Sequence, residues 1–208
     1  MSNNPIFQRL PCIFYIVRHG QTEWNVTKKF QGQADIPLNF IGQSQAQKVA
    51  REFRNINFST VFSSDLLRAK KTAEILNKER QLTIKSTALL RERYFGILQG
   101  KKRKELSDDL KQLLKDLFQG KKVSEDMESN EELSSRIIQF LRQTALAYLG
   151  KKVLLVTHAG PIIHFLQKMD YFPEQRIKID NLAYVIVKSD GVEFKIESVH
   201  GIKGVDRK

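Results

Sequence analysis

The stretch that decides the fold of this chain is IFYIVRHG, residues 13–20. Its first five residues form an uninterrupted apolar run, which is typical of a strand buried on both faces of a parallel sheet. An arginine, a histidine and a glycine then follow at once. In open α/β sheets, ligands bind beyond the carboxyl ends of the strands. The stretch therefore predicts a central strand with a site at its end.

A second stretch, VLLVTHAGP at residues 153–161, repeats this pattern with His158 directly behind another apolar run. Gly160 permits a tight turn from strand to helix, and Pro161 suits the first position of a helix. We expect backbone N–H groups near Gly160 to point at an anion held by His158. Two histidines at the ends of two buried strands predict one site built from both.

A third junction, SSDLLR at residues 63–68, places Arg68 in the first turn of a helix that opens just past a strand. Arg18, Arg68, His19 and His158 could thus surround one tetrahedral anion. A neutral imidazole can attack phosphorus, and a guanidinium binds phosphate with two parallel hydrogen bonds. These residue types together indicate an enzyme of phosphoryl transfer.

Strand and helix patterns alternate along the chain. Six strands are predicted, at residues 13–17, 60–63, 82–86, 153–157, 183–188 and 192–199. Besides the helix that starts at residues 160–161, capped helices are predicted at residues 42–53 behind Asn39, at 65–80 behind Ser64, and behind a capping box at 129–132. Residues 101–130 are expected to form one irregular helix and an exposed loop. The pattern predicts an α/β fold of three layers, a mainly parallel sheet flanked by helices on both faces, with a C-terminal antiparallel hairpin at residues 190–191.

Composition indicates one globular domain over residues 1–208, with 41% hydrophobic and 28% charged residues. The net charge of +12 favours anionic partners, but the lysines are scattered, which is typical of a solvated surface. A single cysteine, Cys12, excludes an internal disulfide framework and fits a reducing cytosol, so we expect a cytoplasmic protein. We expect neither a signal peptide nor a membrane span.

Four motifs in order along the chain resemble the histidine phosphatase superfamily, with its phosphoglycerate-mutase-like fold. They are RHGQTEWN at residues 18–25, SSD with Arg68 and TA at residues 63–73, LRE at residues 90–92, and THAG at residues 157–160. A lone Arg-His-Gly would be weak evidence, whereas four motifs in register are specific. The resemblance covers most of the chain, from about residue 13 to 166.

The resemblance implies a phosphohistidine intermediate with no metal and no organic cofactor. It implies that His19 is the nucleophile, that Glu92 is the general acid and later the base, and that Arg18, Arg68 and His158 form the phosphate pocket. Asn25, Gln31 and Gly32 would lie near the phosphate, and the N–H groups near Gly160 would contact it. A second histidine and two arginines would stabilise charge that metal ions stabilise in other phosphoryl-transfer sites.

Each of these residues has a structural alternative. Glu92 is flanked by Arg91 and Arg93, so a surface salt bridge is a real competitor to acid catalysis. His164 and His200 are expected to be structural, and so are two acidic residues in turn or cap positions, Asp35 and Asp65.

The substrate is harder to predict. The segment ERYFGILQG, residues 92–100, resembles the region around the catalytic glutamate of cofactor-dependent phosphoglycerate mutases, and Arg103 falls where those carry a substrate-binding lysine. Tyr94 and Phe95 differ from the mutase His-Tyr pair, and residues 32–33 differ from its Gly-Trp. Residues 100–129 are too few for the long mutase insertion that excludes water from the site. We therefore predict a phosphomonoester hydrolase acting on a small phosphorylated metabolite, with a mutase as the alternative.

Two further classes stay open. One is a non-catalytic module that binds phosphorylated ligands; the other is a nucleic-acid binder, which only the charge suggests. The partner we expect is a small phosphorylated substrate, with no nucleic acid and no membrane. The sequence leaves a homodimer open.

Overall fold

A six-stranded sheet forms the centre of the protein. The computed structural model describes residues 10–121, 126–173 and 175–206. The strands, in chain order, are β1 (Cys12–Arg18), β2 (Thr60–Ser64), β3 (Ile84–Thr87), β4 (Lys152–Thr157), β5 (Arg176–Ser189) and β6 (Phe194–Val205). Their order across the sheet is β3-β2-β4-β1-β5-β6. The first four are parallel to one another, whereas β5 is antiparallel to β1 and β6 is antiparallel to β5.

Helices cover both faces of this sheet. In chain order, the α-helices of the described residues are α1 (Glu23–Val26), α2 (Phe40–Phe53), α3 (Leu67–Asn77), α4 (Asp108–Phe118), α5 (Asn130–Ala147) and α6 (Ala159–Lys168), of which α2, α3, α5 and α6 pack on the sheet. The residues of β4 alternate between the two layers: Val153 and Leu155 share a core with α5 and α6, and Leu154 and Val156 share one with α2 and α3. A strand buried on both faces explains the uninterrupted apolar run in its sequence. The predicted three-layer fold is confirmed.

Two of the three predicted helix caps are confirmed. The Asn39 side chain accepts a hydrogen bond from the Gly42 N–H at 2.8 Å, and Ser129 begins α5 with a capping box. The predicted Ser64 cap is wrong, because Ser64 ends β2 and α3 begins only at Leu67.

The start of α6 also differs from the prediction. This helix begins at Ala159, so Pro161 occupies its third position rather than its first. The residue still lies in the first turn, where its missing N–H group breaks no hydrogen bond within the helix.

The predicted strand bounds shift mainly in the C-terminal hairpin. β5 begins at residue 176 rather than 183, and β6 runs from 194 to 205 rather than from 192 to 199. Residues 176–179 pair with residues 202–205, beyond the part of β5 that pairs with β1. This extension consists of two strands only, and many of its residues are polar. It therefore lacks the apolar run by which buried strands are predicted. At the far end of the sheet, β3 spans 84–87 rather than 82–86.

The polar segment after the third strand folds around a small apolar cluster of its own. Residues 101–121 contain a short 3₁₀ turn followed by α4, where the sequence predicted one irregular helix. Leu114 and Leu117 of α4 pack there with Leu98 and Met127. The rest of the predicted loop includes residues 122–125, which lie outside the described residues. Among the helices of the described ranges, none is long and apolar enough to cross a membrane.

Candidate active site

Two buried histidines lie side by side where β1 and β4 end. β1 and β4 are paired in parallel, with Val17 opposite Val156, so the residues that follow them meet at one edge of the sheet. The His19 backbone N–H donates to the Thr157 carbonyl at 2.9 Å. The ring centroids of His19 and His158 are 5.1 Å apart. The structure thus brings together the two histidines that the sequence pairs with buried strands.

A backbone carbonyl fixes the orientation of the His19 ring. Nδ1 of His19 lies 2.7 Å from the carbonyl oxygen of Gly20, and the residue is 2% exposed. A carbonyl can only accept, so Nδ1 carries the proton and Nε2 keeps its lone pair. Burial lowers the pKa of His19 well below its ordinary value of 6.5, and the charges of Arg68 and Arg18 lower it further. His19 is therefore a neutral imidazole near neutral pH.

His158 is held by the serine that ends β2. Its Nε2 lies 2.9 Å from the Ser64 hydroxyl oxygen, and the residue is completely buried. Burial, followed by the charge of Arg68, lowers the pKa of this ring well below 6.5. When the Ser64 hydroxyl donates to Nε2, Nδ1 carries the proton and can donate to a ligand. Ser64 therefore supports the site rather than capping α3.

Two arginines surround the histidines, and each is fixed by backbone carbonyls. Arg18 donates through Nη1 to Ile179 at 2.7 Å. Arg68 donates to the carbonyls of Ala34 and Gly32, both at 2.7 Å. Burial lowers the pKa of Arg68 to about 10, which keeps this guanidinium charged at neutral pH. Both cations are thus held in place before any ligand arrives.

Three buried polar atoms of this site find no hydrogen-bond partner among the described residues. They are Nε of Arg18, Nε of Arg68 and Nδ1 of His158. Buried donors are costly when unsatisfied, so such atoms gathered in one place favour a bound acceptor. An oxyanion supplies several acceptor oxygens at once.

Glu92 reaches the site from a loop and is buried at 8% exposure. Its Oε1 accepts hydrogen bonds from the backbone N–H groups of Arg93 at 2.8 Å and Gly160 at 3.1 Å. The predicted alternative, a surface salt bridge to a neighbouring arginine, is wrong. The Arg91 guanidinium pairs with Asp65 through bonds of 2.7 and 2.6 Å, which also replaces the turn or cap role expected for Asp65.

The Gly160 N–H points at Glu92 in this structure. It lies 3.1 and 3.2 Å from the two carboxyl oxygens. The expectation from the sequence was a contact with the phosphate. Gly160 thus joins Glu92 to the first turn of α6, directly behind His158, and its contact with a phosphate stays a prediction.

Asn25, Gln31 and Gly32 are connected by hydrogen bonds to residues of the site or to their neighbours in the chain. The Asn25 and Gln31 side-chain oxygens both accept from the Thr22 hydroxyl, at 3.2 and 3.0 Å. The Gly32 carbonyl accepts from Arg68, and the positive φ of Gly32, 54°, suits glycine. Their own contacts with a phosphate stay predictions.

Sequence reasoning missed two residues, Asn181 and Thr72, that support the site from distant segments. Asn181 donates from its side chain to the His19 carbonyl at 3.1 Å, across 162 positions of sequence. Thr72 accepts the Gly20 N–H at 3.1 Å. Asp35 was expected to be a turn or cap residue, and its carboxylate accepts the Leu67 N–H that begins α3 at 2.7 Å. Thr72 belongs to one of the four family motifs, but the sequence assigned it no function. Asn181 lies outside these motifs, and nothing in the sequence around it pointed to the site.

Within the described residues, no group of three or more His, Cys, Asp and Glu side chains could hold a metal ion. The charges around the two histidines come instead from guanidinium groups.

Comparisons with known proteins identify the family of this chain. The profile of the histidine phosphatase superfamily, branch 1, matches residues 14–200. The chain is 36% identical over 151 residues to a Bacillus subtilis protein named Uncharacterized phosphatase PhoE, covering 73% of each chain. It is 32% identical over 174 residues to the Probable phosphoglycerate mutase GpmB of Salmonella arizonae, covering 81% of each. These relatives are named after two different activities.

Solved structures share the fold. A phosphoglycerate mutase from Bacillus anthracis superposes with a TM-score of 0.81 at 24% identity, over 92% of this chain and 93% of that one. A mycobacterial glucosyl-3-phosphoglycerate phosphatase, solved with VO3, superposes with a TM-score of 0.79 at 23% identity, over 91% of this chain and 98% of that one. At these identities the likeness concerns the architecture alone.

Proposed function

The chain belongs to the histidine phosphatase superfamily, branch 1, and is an enzyme of that family; we propose that it hydrolyses a small phosphomonoester without a metal, through a phosphohistidine. The observation that carries this proposal is the state of His19. Its Nδ1 is bound to a carbonyl and its Nε2 keeps a lone pair, beside two arginines with unpaired Nε groups. A neutral nitrogen fixed next to an anion site is the arrangement that nucleophilic attack on phosphorus needs.

In the first step, Nε2 of His19 attacks the phosphorus and the bond from phosphorus to the ester oxygen breaks. The departing oxygen takes a proton from Glu92. Arg18, Arg68 and His158 hold the charged oxygens of the phosphoryl group while it moves between the two atoms. Because these side chains are fixed by the protein, little reorganisation is needed as the charge shifts.

In the second step, water attacks the phosphohistidine and gives a proton to the Glu92 carboxylate. The bond from phosphorus to Nε2 breaks, and His19 returns to its neutral form. Inorganic phosphate leaves, and Glu92 again carries the proton with which the cycle began.

A phosphoglycerate mutase is the second candidate function. The relatives named GpmB and the segment at residues 92–100 favour it. Such an enzyme must keep water away from the phosphoryl group while the bound intermediate reorients in the site. The short segment after residue 100 favours hydrolysis instead.

The test is to trap the intermediate. Wild-type enzyme quenched during turnover of a ³²P-labelled phosphomonoester should carry label that is lost in acid and retained in base. His19→Ala should carry none and should release no phosphate. His200→Ala is the matched control, because His200 is an exposed histidine stacked on Tyr184, and it should behave as wild type.

A panel of phosphorylated metabolites, assayed for phosphate release, then ranks the substrates. 3-Phosphoglycerate with its bisphosphate cofactor forms a separate arm, assayed for isomerisation. Phosphate release without isomerisation supports the hydrolase, and isomerisation that outpaces release would replace it with the mutase. Acid-stable label, or full activity in His19→Ala, contradicts the mechanism.

A further inference from the structure

Arg93 is a buried arginine that the proposed reaction does not use. It is 1% exposed. Its Nη1 donates to the Glu128 carbonyl at 2.7 Å, and its Nη2 lies 2.6 Å from both Oδ1 of Asn130 and Nε2 of His164. All three hydrogen-bond partners are neutral acceptors, and the carboxylates of Glu92 and Glu128 offset only part of the cost of burying this charge, because the pKa of Arg93 is lowered by burial. Burying a guanidinium away from water costs free energy of folding. Packing alone therefore does not explain why an arginine occupies this position.

The position of Arg93 in the chain supplies that reason. It directly follows Glu92, and its backbone N–H donates to Oε1 of Glu92 at 2.8 Å. The backbone and the side chain of Arg93 therefore act together. The N–H group donates to the carboxyl group, and the guanidinium anchors the same residue to α6 through His164 and to the start of α5 through Glu128 and Asn130.

The anchor on α6 lies one turn beyond the helix residue that binds Glu92. Gly160 donates its N–H to the carboxyl oxygens of Glu92, and His164, four positions later, meets Arg93. Residues 92 and 93 are thus fastened to successive turns of one helix. The helix follows directly on His158, so one rigid element spans the distance from the phosphate pocket to Glu92.

His164 can only serve as this anchor when its Nε2 is unprotonated, because a guanidinium has donors alone. Burial and the charge of Arg93 lower the pKa of His164 to about 4, so the ring is neutral near neutral pH. Its Nε2 is then the acceptor that the 2.6 Å contact requires.

We propose that Arg93 and His164 are a pair of positioning residues that set the carboxyl group of Glu92 at its working distance from the phosphate pocket. This inference rests on the proposed function, in which Glu92 is the acid and the base. Oε1 of Glu92 accepts from two N–H groups, whereas Oε2 accepts only the 3.2 Å contact from Gly160 among the described hydrogen bonds. Oε2 therefore keeps the greater free capacity to exchange a proton with the substrate, and the Arg93–His164 contact holds in place the residue whose N–H group binds Oε1.

The test compares two substrates that differ in their need for an acid. An alkyl phosphate such as glycerol 3-phosphate needs a proton on its leaving oxygen, and 4-nitrophenyl phosphate needs little help. His164→Leu removes the acceptor, and we expect a loss of about 10- to 100-fold in kcat/KM for the alkyl phosphate. Phosphoenzyme formation from the aryl phosphate should change by less than about threefold. His164→Gln, which keeps an acceptor, should restore most of the alkyl rate.

Arg93→Lys provides a second route to the same result, since it keeps the positive charge but loses the planar fork. It should show the selective loss of alkyl turnover. Arg80→Lys is the matched control. Arg80 likewise donates through its guanidinium to three acceptors, the carbonyls of Ile56, Leu76 and Phe53, but it lies just beyond the end of α3. It should lower thermal stability without separating the two substrates.

A double variant separates this inference from the proposed function. Once Glu92→Gln has removed the acid, adding His164→Leu should cost no further selective loss. An equal loss on both substrates in His164→Leu, or a further selective loss in the double variant, overturns the positioning role. If Glu92→Gln alone fails to separate the substrates, the acid role in the proposed function is overturned instead.

Discussion

At the scale of single residues, Thr72 joins the two halves of the anion site. Its hydroxyl oxygen accepts the Gly20 N–H at 3.1 Å and donates to the Arg68 carbonyl at 2.7 Å. Gly20 also bears the carbonyl that accepts the hydrogen bond from Nδ1 of His19. One buried hydroxyl therefore links the loop that orients His19 to the helix that carries Arg68.

We predict that Thr72→Val will weaken both folding and catalysis. Valine has nearly the same shape but leaves the buried Gly20 N–H without an acceptor, which costs about 1–3 kcal/mol in the free energy of unfolding. Phosphoenzyme formation should slow as well, because the His19 ring loses its fixed carbonyl. Urea unfolding and a rapid-quench assay measure the two effects. Thr72→Ser keeps the hydroxyl, and equal behaviour of the two variants would contradict the role assigned to it.

At the scale of elements, the first turn of α2 lies directly against the loop that follows β1. A Cβ atom placed on Gly42 would lie 2.1 Å from the Gln21 carbonyl oxygen, and one on Gly20 would lie 2.5 Å from the Gly42 carbonyl oxygen. Both obstacles are backbone atoms, which cannot rotate away. The two segments approach this closely only because both positions are glycine.

We predict that Gly42→Ala will be destabilising although alanine favours helices. The gain in helix propensity is about 1 kcal/mol, whereas forcing extra atoms into a packed contact costs about 1–3 kcal/mol and displaces backbone. The displaced backbone is that of Gln21, two positions from His19, so turnover should fall too. Thermal unfolding and kcat measure the result. Gln43→Ala, at the next, exposed position of α2, is the control, and a stabilised Gly42→Ala would show that the contact relaxes freely.

At the scale of the whole molecule, two buried histidines and the half-buried His164 make stability depend on pH. The pKa values of His19 and His158 are lowered well below 6.5 by burial and then by Arg68, and that of His164 is lowered to about 4 by burial and then by Arg93. As the pH falls below about 6.5, these histidines bind protons in the unfolded chain but stay neutral in the native protein. The stabilisation from these groups is therefore complete above that pH and is lost as the pH falls.

We predict that His164→Gln will flatten this dependence between about pH 6 and pH 4.5, where the unfolded His164 binds a proton and the native one does not. One such group contributes a slope of about 1.4 kcal/mol per pH unit to the free energy of unfolding. Urea unfolding at several pH values measures the slope in the variant and in the wild type. Parallel curves would mean that His164 titrates alike in both states.

The layers of the fold and the chemical groups of the site could be predicted from the order of residues alone. The apolar runs of β1 and β4 can only be satisfied in a sheet covered on both faces, and His19 and His158 stand where such strands end. Neighbouring parallel strands end at one edge, so the pairing of the two histidines followed from local pattern alone.

The tertiary structure alone decided how those groups are held. The acceptor for His19, the anchors of Arg68 and the donors to Glu92 are backbone groups, which every residue carries, so no residue letter can mark them. Asn181 and Thr72 reach the site across long separations of sequence, and their geometry exists only when the chain has closed. The order of residues specifies which side chains the site contains. The distances between those side chains, on which catalysis depends, are set by packing between helices and strands that are far apart in the sequence.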